Sequence, residues 1–380
     1  MLDYESLRLI WWLLLGTLLI GFAVMDGFDL GAAMLLPFVA RSDSERRIVI
    51  NTVGPVWEGN QVWLILGAGA IFAAWPTLYA VAFSGFYLAM FVALAALILR
   101  PVSFKFRSDL ENSLWRGFWD FAFFVSGAVP ALIFGVAVGN ALQGVPFRFD
   151  DTLRMTYEGD LLGLLNPFAL LCGAVSCAML VMHGGVYLAL KADQPVAARA
   201  AACARGAVLV LLALFALCGV YAAIGVDGYK ITSDLVHDGP SNPLLKTVTR
   251  APGALLSNYT AYPLMLLAPA LVFVAAALTS ALVRGGKRAG LAWIASAAAV
   301  AGVVATAGLS TFPFLLPSSL DPNASLTVWD TSSSRTTLLI MLFATLVFLP
   351  IVLAYTSFVY RVLRGRVTSA YIEKNSSGVY

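Results

Sequence analysis

Apolar residues in this chain come in long unbroken runs, without the alternation of a half-buried strand or the narrow stripe of a surface helix. LIWWLLLGTLLIGFAVM (9–25) is the first run, and others like it recur from end to end. About 20 apolar residues in a helix cross the ~30 Å of a bilayer's hydrocarbon. Nine such spans are predicted, at about 7–40, 53–75, 79–99, 118–142, 161–190, 202–224, 262–283, 291–311 and 337–362. The first and fifth exceed what a perpendicular crossing needs, which predicts tilt or protrusion. A membrane β-barrel is excluded because the runs do not alternate with period two. The predicted fold is an all-α integral membrane protein, its nine helices arranged as two four-helix bundles plus one peripheral helix. Residues 1–380 are read as a single polytopic membrane domain, and the longest connection, 225–261, is polar and rich in Gly, Pro and Asn.

Composition agrees with the pattern. Of 380 residues, 60% are hydrophobic and 12% charged, about half the charge of a soluble protein. Mean hydropathy is +0.85. The N-terminus, MLDYESLRLIWW, has acids first and no basic lead, so it is read as the start of a mature span and not as a cleaved signal peptide.

Where the positive residues fall predicts orientation. The loops after spans one, three, five and seven, together with the C-terminal tail, hold 17 of the 24 Lys and Arg, from Arg41, Arg46 and Arg47 to Arg366 and Lys374. The other side holds Arg8, Arg148, Arg154, Lys230, Lys246, Arg250 and Arg335. Nine spans then put the N-terminus outside and the C-terminus in the cytoplasm.

Few residues can carry redox chemistry. Haem needs axial ligands, usually His, and the chain has two histidines, His183 in span five and His237 in the long outer loop. His183 is expected to be a hydrogen-bonded interior residue, and the nine Met to be apolar filler. Cys172, Cys177, Cys203 and Cys218 lie in apolar runs without metal-type spacing and are expected to be small core residues. No nucleotide-binding glycine loop, zinc signature or nucleophile–base spacing is present, and nothing predicts a nucleic-acid partner. Trp11, Trp12, Trp57, Trp63, Trp75, Trp115 and Trp119 cluster toward span ends, as interfacial belt residues do. The segment TFPFLLPSSLDPNASLTVWD (311–330) reads equally as a partner surface or an outer loop.

The informative residues are acids inside the membrane, which are costly there and mark function. Asp26 and Asp29, in VMDGFDLGAAML, share one helix face at i,i+3. At ~1.5 Å per residue Asp26 lies roughly 28 Å from Leu7, in the cytoplasmic half. Glu58, in GPVWEGNQVW, lies one to two turns inside span two at similar depth, followed by Asn60 and Gln61. Burying an unpaired carboxylate costs several kcal/mol, comparable to holding it protonated at neutral pH. Glu58 is therefore expected near the balance between charged and neutral, as a proton relay must be. The plainer alternative is that the acids cap helices or pair with Arg46, Arg47 or Arg100. Gly16, Gly21, Gly27 and Gly31 permit close helix packing and predict that part of spans one and two buries against a partner.

Nine stretches match a known family: DYESLRLIWWLLLG, GFAVMDGFDLG, ERRIVINTVGPVWEGNQVWLIL, FAAWPTLYAVAFSGFYLAM, GNALQGVPF, LLNPFALL, GVDGYK, FPFLLPSS and SLTVWDTSSS. The tail EKNSSGVY also looks familial. On these residues the chain resembles subunit II of the cytochrome bd quinol oxidases, bacterial terminal oxidases unrelated to the haem–copper enzymes. The resemblance implies a partner, subunit I, that carries the haem b and haem d groups and the quinol site, while subunit II has no haem ligands. It implies quinol oxidation on the outer side of the bacterial inner membrane and reduction of O2 to water with cytoplasmic protons, which contributes to the proton motive force. It also implies a pseudosymmetric heterodimer, a structural quinone in subunit II and small single-span accessory subunits. Glu58 matches an acid of a cytoplasmic proton path, with Asp26, Asp29, Asn60 and Gln61 expected beside it. Trp63 matches a residue near an oxygen path, and Trp57 is placed with it or at the subunit interface. The chain departs from many relatives in having Glu58 where they carry Asp, and Val56 where some carry His. The alternative reading is a proton-coupled secondary transporter, in which the acids are the coupling site. A purely structural scaffold would leave the three acids unexplained.

Overall fold

Backbone polar groups in hydrocarbon can bond only to one another, so each apolar run folds as a helix. The computed structural model describes residues 2–284, 288–375 and 380. Helix α1 (Tyr4–Val39) has 36 residues and starts where the Asp3 side chain accepts the Ser6 amide, 2.7 Å. A Ser42/Glu45 capping box opens the short α2 (Asp43–Val53). Helix α3 (Trp57–Ala74) follows, then α4 (Pro76–Gly85) and α5 (Tyr87–Phe106). The predicted third span is thus broken at Phe86. It also runs on past the predicted end at Leu99 to Phe106, with Arg100 paired inside the protein.

The chain continues through α6 (Ser113–Gln143), α7 (Pro167–Lys191) and α8 (Val196–Ile224). The fifth span is shorter than predicted: Asn166 caps α7 and Pro167 takes its first turn, so residues 161–166 lie outside the helix. The remaining helices are α9 (Ser257–Ala261), α10 (Leu267–Val283), α11 (Ala289–Thr311), α12 (Arg335–Val362) and α13 (Ser369–Lys374). Among the described residues, eight helices are long and apolar enough to cross a membrane: α1, α5, α6, α7, α8, the segment Pro263–Val283, α11 and α12. The second predicted span corresponds to α3, 18 residues long, whose first turn is diluted by Glu58, Asn60 and Gln61.

The loops sort to two ends. At the basic end Arg46 meets Asp120 at 2.6 Å, Arg199 meets Glu45 at 2.6 Å, and Lys191 donates to the Leu363 carbonyl at 2.6 Å. Arg107 bridges Asp120 (2.5 Å) and Asp43 (2.9 Å), and Tyr380 docks on Asn51 there. At the opposite end three antiparallel hairpins qualify the all-α expectation. They pair β1 (Phe147–Phe149) with β2 (Met155–Tyr157), β3 (Asp227–Ile231) with β4 (Val248–Pro252), and β5 (Phe314–Leu316) with β6 (Leu326–Thr327). The N-terminus lies at this hairpin end, with Tyr4 donating to the Ser333 carbonyl at 2.6 Å.

Lys246 pins the hairpins from inside, 2.7 Å from Asp330 and 2.5 Å from the Ser325 carbonyl. Burial holds its ammonium below the usual lysine range, against the opposing pull of the Asp330 carboxylate. The 311–330 segment turns inward: Phe314, Leu316, Leu326, Val328 and Trp329 are all buried. It is an ordered connection between α11 and α12 at the hairpin end, with these side chains turned in and not presented as a partner surface. Trp11, Trp63 and Trp75 are likewise buried and are not belt residues.

Helices α1 and α7 form the centre. A Cβ added at Gly31 would overlap the Leu180 carbonyl, and one at Gly184 would overlap the backbone of Gly31 and Ala32. Two glycines face to face are what lets these helices touch. Helix α12 is peripheral, with 11% of its apolar window buried.

Candidate functional site

Asp26 and Asp29 project from α1 with no solvent exposure. Arg100, equally buried on α5, forks onto Asp26, Nη1 to Oδ1 at 2.5 Å and Nη2 to Oδ2 at 3.4 Å. Pairing with arginine, the plainer reading, is therefore the arrangement found for Asp26. Arg46 and Arg47 are engaged elsewhere, on Asp120 and on the Tyr380 carbonyl.

Asp29 has no arginine of its own. Its Oδ2 accepts the Asn60 amide from α3 at 2.8 Å, and its Oδ1 has no hydrogen-bond partner. The Tyr360 hydroxyl of α12 donates to Asn60 Oδ1 at 2.7 Å. Tyr187 closes the neighbourhood, stacked on Phe28 (3.9 Å between centroids) and donating to the Thr52 carbonyl at 2.8 Å. Two carboxylates are therefore buried one turn apart on α1, and the Arg100 guanidinium contacts only Asp26. With both ionised the cluster carries one uncompensated negative charge, and a single proton on Asp29 would remove it.

Glu58 is not part of this cluster. It is exposed on the outer surface of α3, while Asn60 is 1% exposed and Gln61 is intermediate. The reason is angular: two residues along a helix turn ~200°, so when Asn60 points inward Glu58 points out. The expectation that Glu58 is buried beside Asp26 and Asp29 is corrected for this chain taken alone. Glu58 instead heads an exposed apolar stripe with Val62, Ile65 and Phe72.

Trp63 is buried, its ring lying where a Cβ at Gly21 would be. Trp57 is half-buried against Phe104, 6.2 Å between centroids. Gly27 and Gly31 face α7, through Leu180 and Gly184, and nothing lies within 4 Å of a Cβ at Gly16. The prediction that this glycine stripe faces a partner is thus corrected for Gly21, Gly27 and Gly31, which serve contacts inside the chain.

His183 has both ring nitrogens engaged. Nε2 donates to the Val24 carbonyl at 2.9 Å, and Nδ1 lies 2.8 Å from the Ser296 hydroxyl. A carbonyl accepts only from N–H, which assigns the proton to Nε2. His237 sits in the hairpin-end loop with Nδ1 on Glu5 at 2.8 Å. With both nitrogens taken, His183 presents neither to a haem iron in this arrangement. Among the described residues, no group of three His, Cys, Asp or Glu converges as a metal site.

Tyr360 and Tyr187 were missed by sequence reasoning. Tyrosine near the end of an apolar span reads as a belt residue, and only the packing of α12 on α3 turns the Tyr360 hydroxyl inward.

Comparisons with known proteins concern almost the whole chain. A family described as Cytochrome bd terminal oxidase subunit II matches residues 7–363. The chain is 49% identical, over 100% of both proteins, to "Cytochrome bd-I ubiquinol oxidase subunit 2" of Escherichia coli K12. It is 48% identical, again over 100% of both, to "Probable cytochrome oxidase subunit 2" of Haemophilus influenzae. Its fold is similar to a chain in the structure of bd oxidase from Geobacillus thermodenitrificans, with TM-score 0.62 and 13% identity over 95% of this chain and 99% of that one. With a match of this extent, the chain belongs to the cytochrome bd terminal oxidase subunit II family.

Proposed function

We propose that this protein is the subunit of a bd-type ubiquinol:O2 oxidoreductase that holds no haem, and that it supports a haem-bearing subunit I in the bacterial inner membrane. The observation that carries the reading is the 49% identity over the full length of a ubiquinol oxidase subunit 2. The engaged nitrogens of His183 support placing the haem b and haem d ligands, and the quinol site, in the partner. The transporter alternative loses its basis with the family assignment.

In the proposed topology α3 is the ninth span, with the basic end in the cytoplasm. The termini lie at opposite ends of the molecule, which requires an odd number of crossings and supports counting α3 beside the eight longer helices. Helices α1, α3, α5 and α6 form one four-helix bundle, α7, α8, α10 and α11 the other, and α12 stays peripheral. A structural quinone would fit by its apolar tail in the lateral groove of about 500 Å³ lined by Leu35, Phe38, Cys177, Val181 and Val210.

The proton path begins at the basic end. Glu58, exposed in this chain alone, faces subunit I, beside Trp57, and meets cytoplasmic water at the seam. Asp29 keeps one carboxyl oxygen open inside the chain and is the group that can bind and release a proton there, held in place by Asn60. Asp26 is locked by Arg100 and serves structure and charge balance. Gln61 orders water between Glu58 and Asn60, and Trp63 shields the apolar side used by oxygen.

The test is Glu58→Gln and Asp29→Asn in the purified complex, read by haem absorbance and oxygen consumption. Both should retain the haems and consume oxygen more slowly. Haems in place with unchanged turnover in both variants would refute the proton role. A colourless, active preparation of this chain alone would refute the oxidase reading.

A further inference from the structure

Four cysteines occur in the chain, and two of them touch. Cys172 on α7 and Cys218 on α8 lie with Sγ atoms 3.5 Å apart, 46 residues apart in sequence. Cys172 is five residues into α7 and Cys218 six residues before the end of α8. The two residues therefore lie about 7.5–9 Å along the axis from the helix ends. They share a small core with Leu142, Phe168, Val226 and Leu255, the last two flanking the β3–β4 pair in sequence. Across α7, Gly139 of α6 leaves no space beside Cys172, since a Cβ there would approach its Cβ and Sγ at 3.1 Å. The Cys172 thiol therefore sits between Gly139 of α6 and Cys218 of α8. Cys177 and Cys203 line the lateral groove instead.

We propose that Cys172 and Cys218 are joined by a disulfide in the mature complex, stapling α7 to α8 at the hairpin end. The inference rests on the orientation proposed above, which puts that end in the oxidising compartment where disulfides persist. A bond needs the sulfurs at about 2.05 Å, an approach of roughly 1.5 Å from their present separation.

The oxidant is a protein disulfide of the thiol-exchanging class on the outer face, acting before the 225–261 segment covers the pair. Cys218 is the less buried of the two. Its thiolate attacks the oxidant's disulfide, forming a mixed disulfide and releasing one oxidant thiolate. Cys172 as thiolate then attacks Cys218 Sγ and releases the second. Two thiols lose two protons and two electrons, and the oxidant's disulfide becomes a dithiol. The bond constrains the unfolded chain and raises the thermal midpoint of the complex.

The experiment denatures the purified complex without reductant in excess N-ethylmaleimide and maps the peptides of this chain by mass. The expected result is alkylation at Cys177 and Cys203 only, with a cross-linked peptide pair through Cys172 and Cys218, and four alkylations after reduction. Four alkylations without reductant would overturn the inference. In Cys172→Ser, Cys218 should become alkylated and the midpoint should fall by several degrees. A reporter fused within 225–261 separates the two readings. An outside signal with four free thiols defeats only the disulfide, whereas an inside signal defeats the orientation as well.

Discussion

Arg100 and Asp26 form an ion pair across α5 and α1 from which solvent is excluded on both sides, 2.5 Å from Nη1 to Oδ1. Desolvating two charges is costly, and removing one partner strands the other in a medium that cannot solvate it. Arg100→Gln should therefore destabilise the chain by about 3–5 kcal/mol. Arg100→Lys, which keeps the charge but loses the fork, should cost less. Thermal melting of the purified complex checks the order; equal midpoints for Arg100→Gln and the parent would show that the pair is dispensable.

Gly31 marks the tightest approach of α1 to α7, and Gly16 on the same helix has open space beside it. Gly31→Val should cost at least about 1–3 kcal/mol because the backbone of Leu180 and Gly184 would have to move. Gly16→Ala should be nearly neutral. The comparison is made by yield and melting midpoint of the two variants, and similar losses at both positions would contradict the packing described.

Tyr360 is the link between peripheral α12 and the buried Asn60–Asp29 pair. Tyr360→Phe removes one hydrogen bond and should cost about 1 kcal/mol. Asn60→Ala strips the remaining partner from buried Asp29 and should cost more, about 1–3 kcal/mol. Amide exchange along α12 should quicken in Tyr360→Phe; unchanged protection would mean that apolar contacts alone hold this helix.

Glu45 fastens α2 to α8 through Arg199, at the basic end and outside the spans. Burial acts to raise its carboxyl, but the Arg41 amide and the Arg199 guanidinium outweigh it and hold the group below the ordinary glutamate value. A carboxylate lowered on folding stabilises the fold above its unfolded value, and that contribution is lost as pH falls through the folded value. Protection of α2 amides should therefore weaken on acidification in the parent, and show a smaller pH response in Glu45→Gln. The same response in both would assign the acid sensitivity to other groups.

The spans and their membrane class were legible in the sequence because hydrophobic transfer is local and additive, so each run declares itself without knowing its neighbours. The two-ended sorting of Lys and Arg is local for the same reason. Helix ends were legible where a cap marked them, but the stretch LLNPF shows how an apolar run can overstate a helix that Asn166 and Pro167 begin later.

The candidate site was half legible. Three acids and two amides in apolar surroundings stood out, but depth along a helix says nothing of which way a side chain faces. The angle between Glu58 and Asn60 follows from helix geometry. Which of the two points inward depends on how α3 lies against α1, where Trp63 seats on Gly21, and that is a contact between distant parts of the chain. The same holds for Arg100, which the sequence offered beside Arg46 and Arg47 as a candidate partner of the acids. Only the packing of α5 against α1 makes it the counter-ion of Asp26 and leaves Asp29 without one.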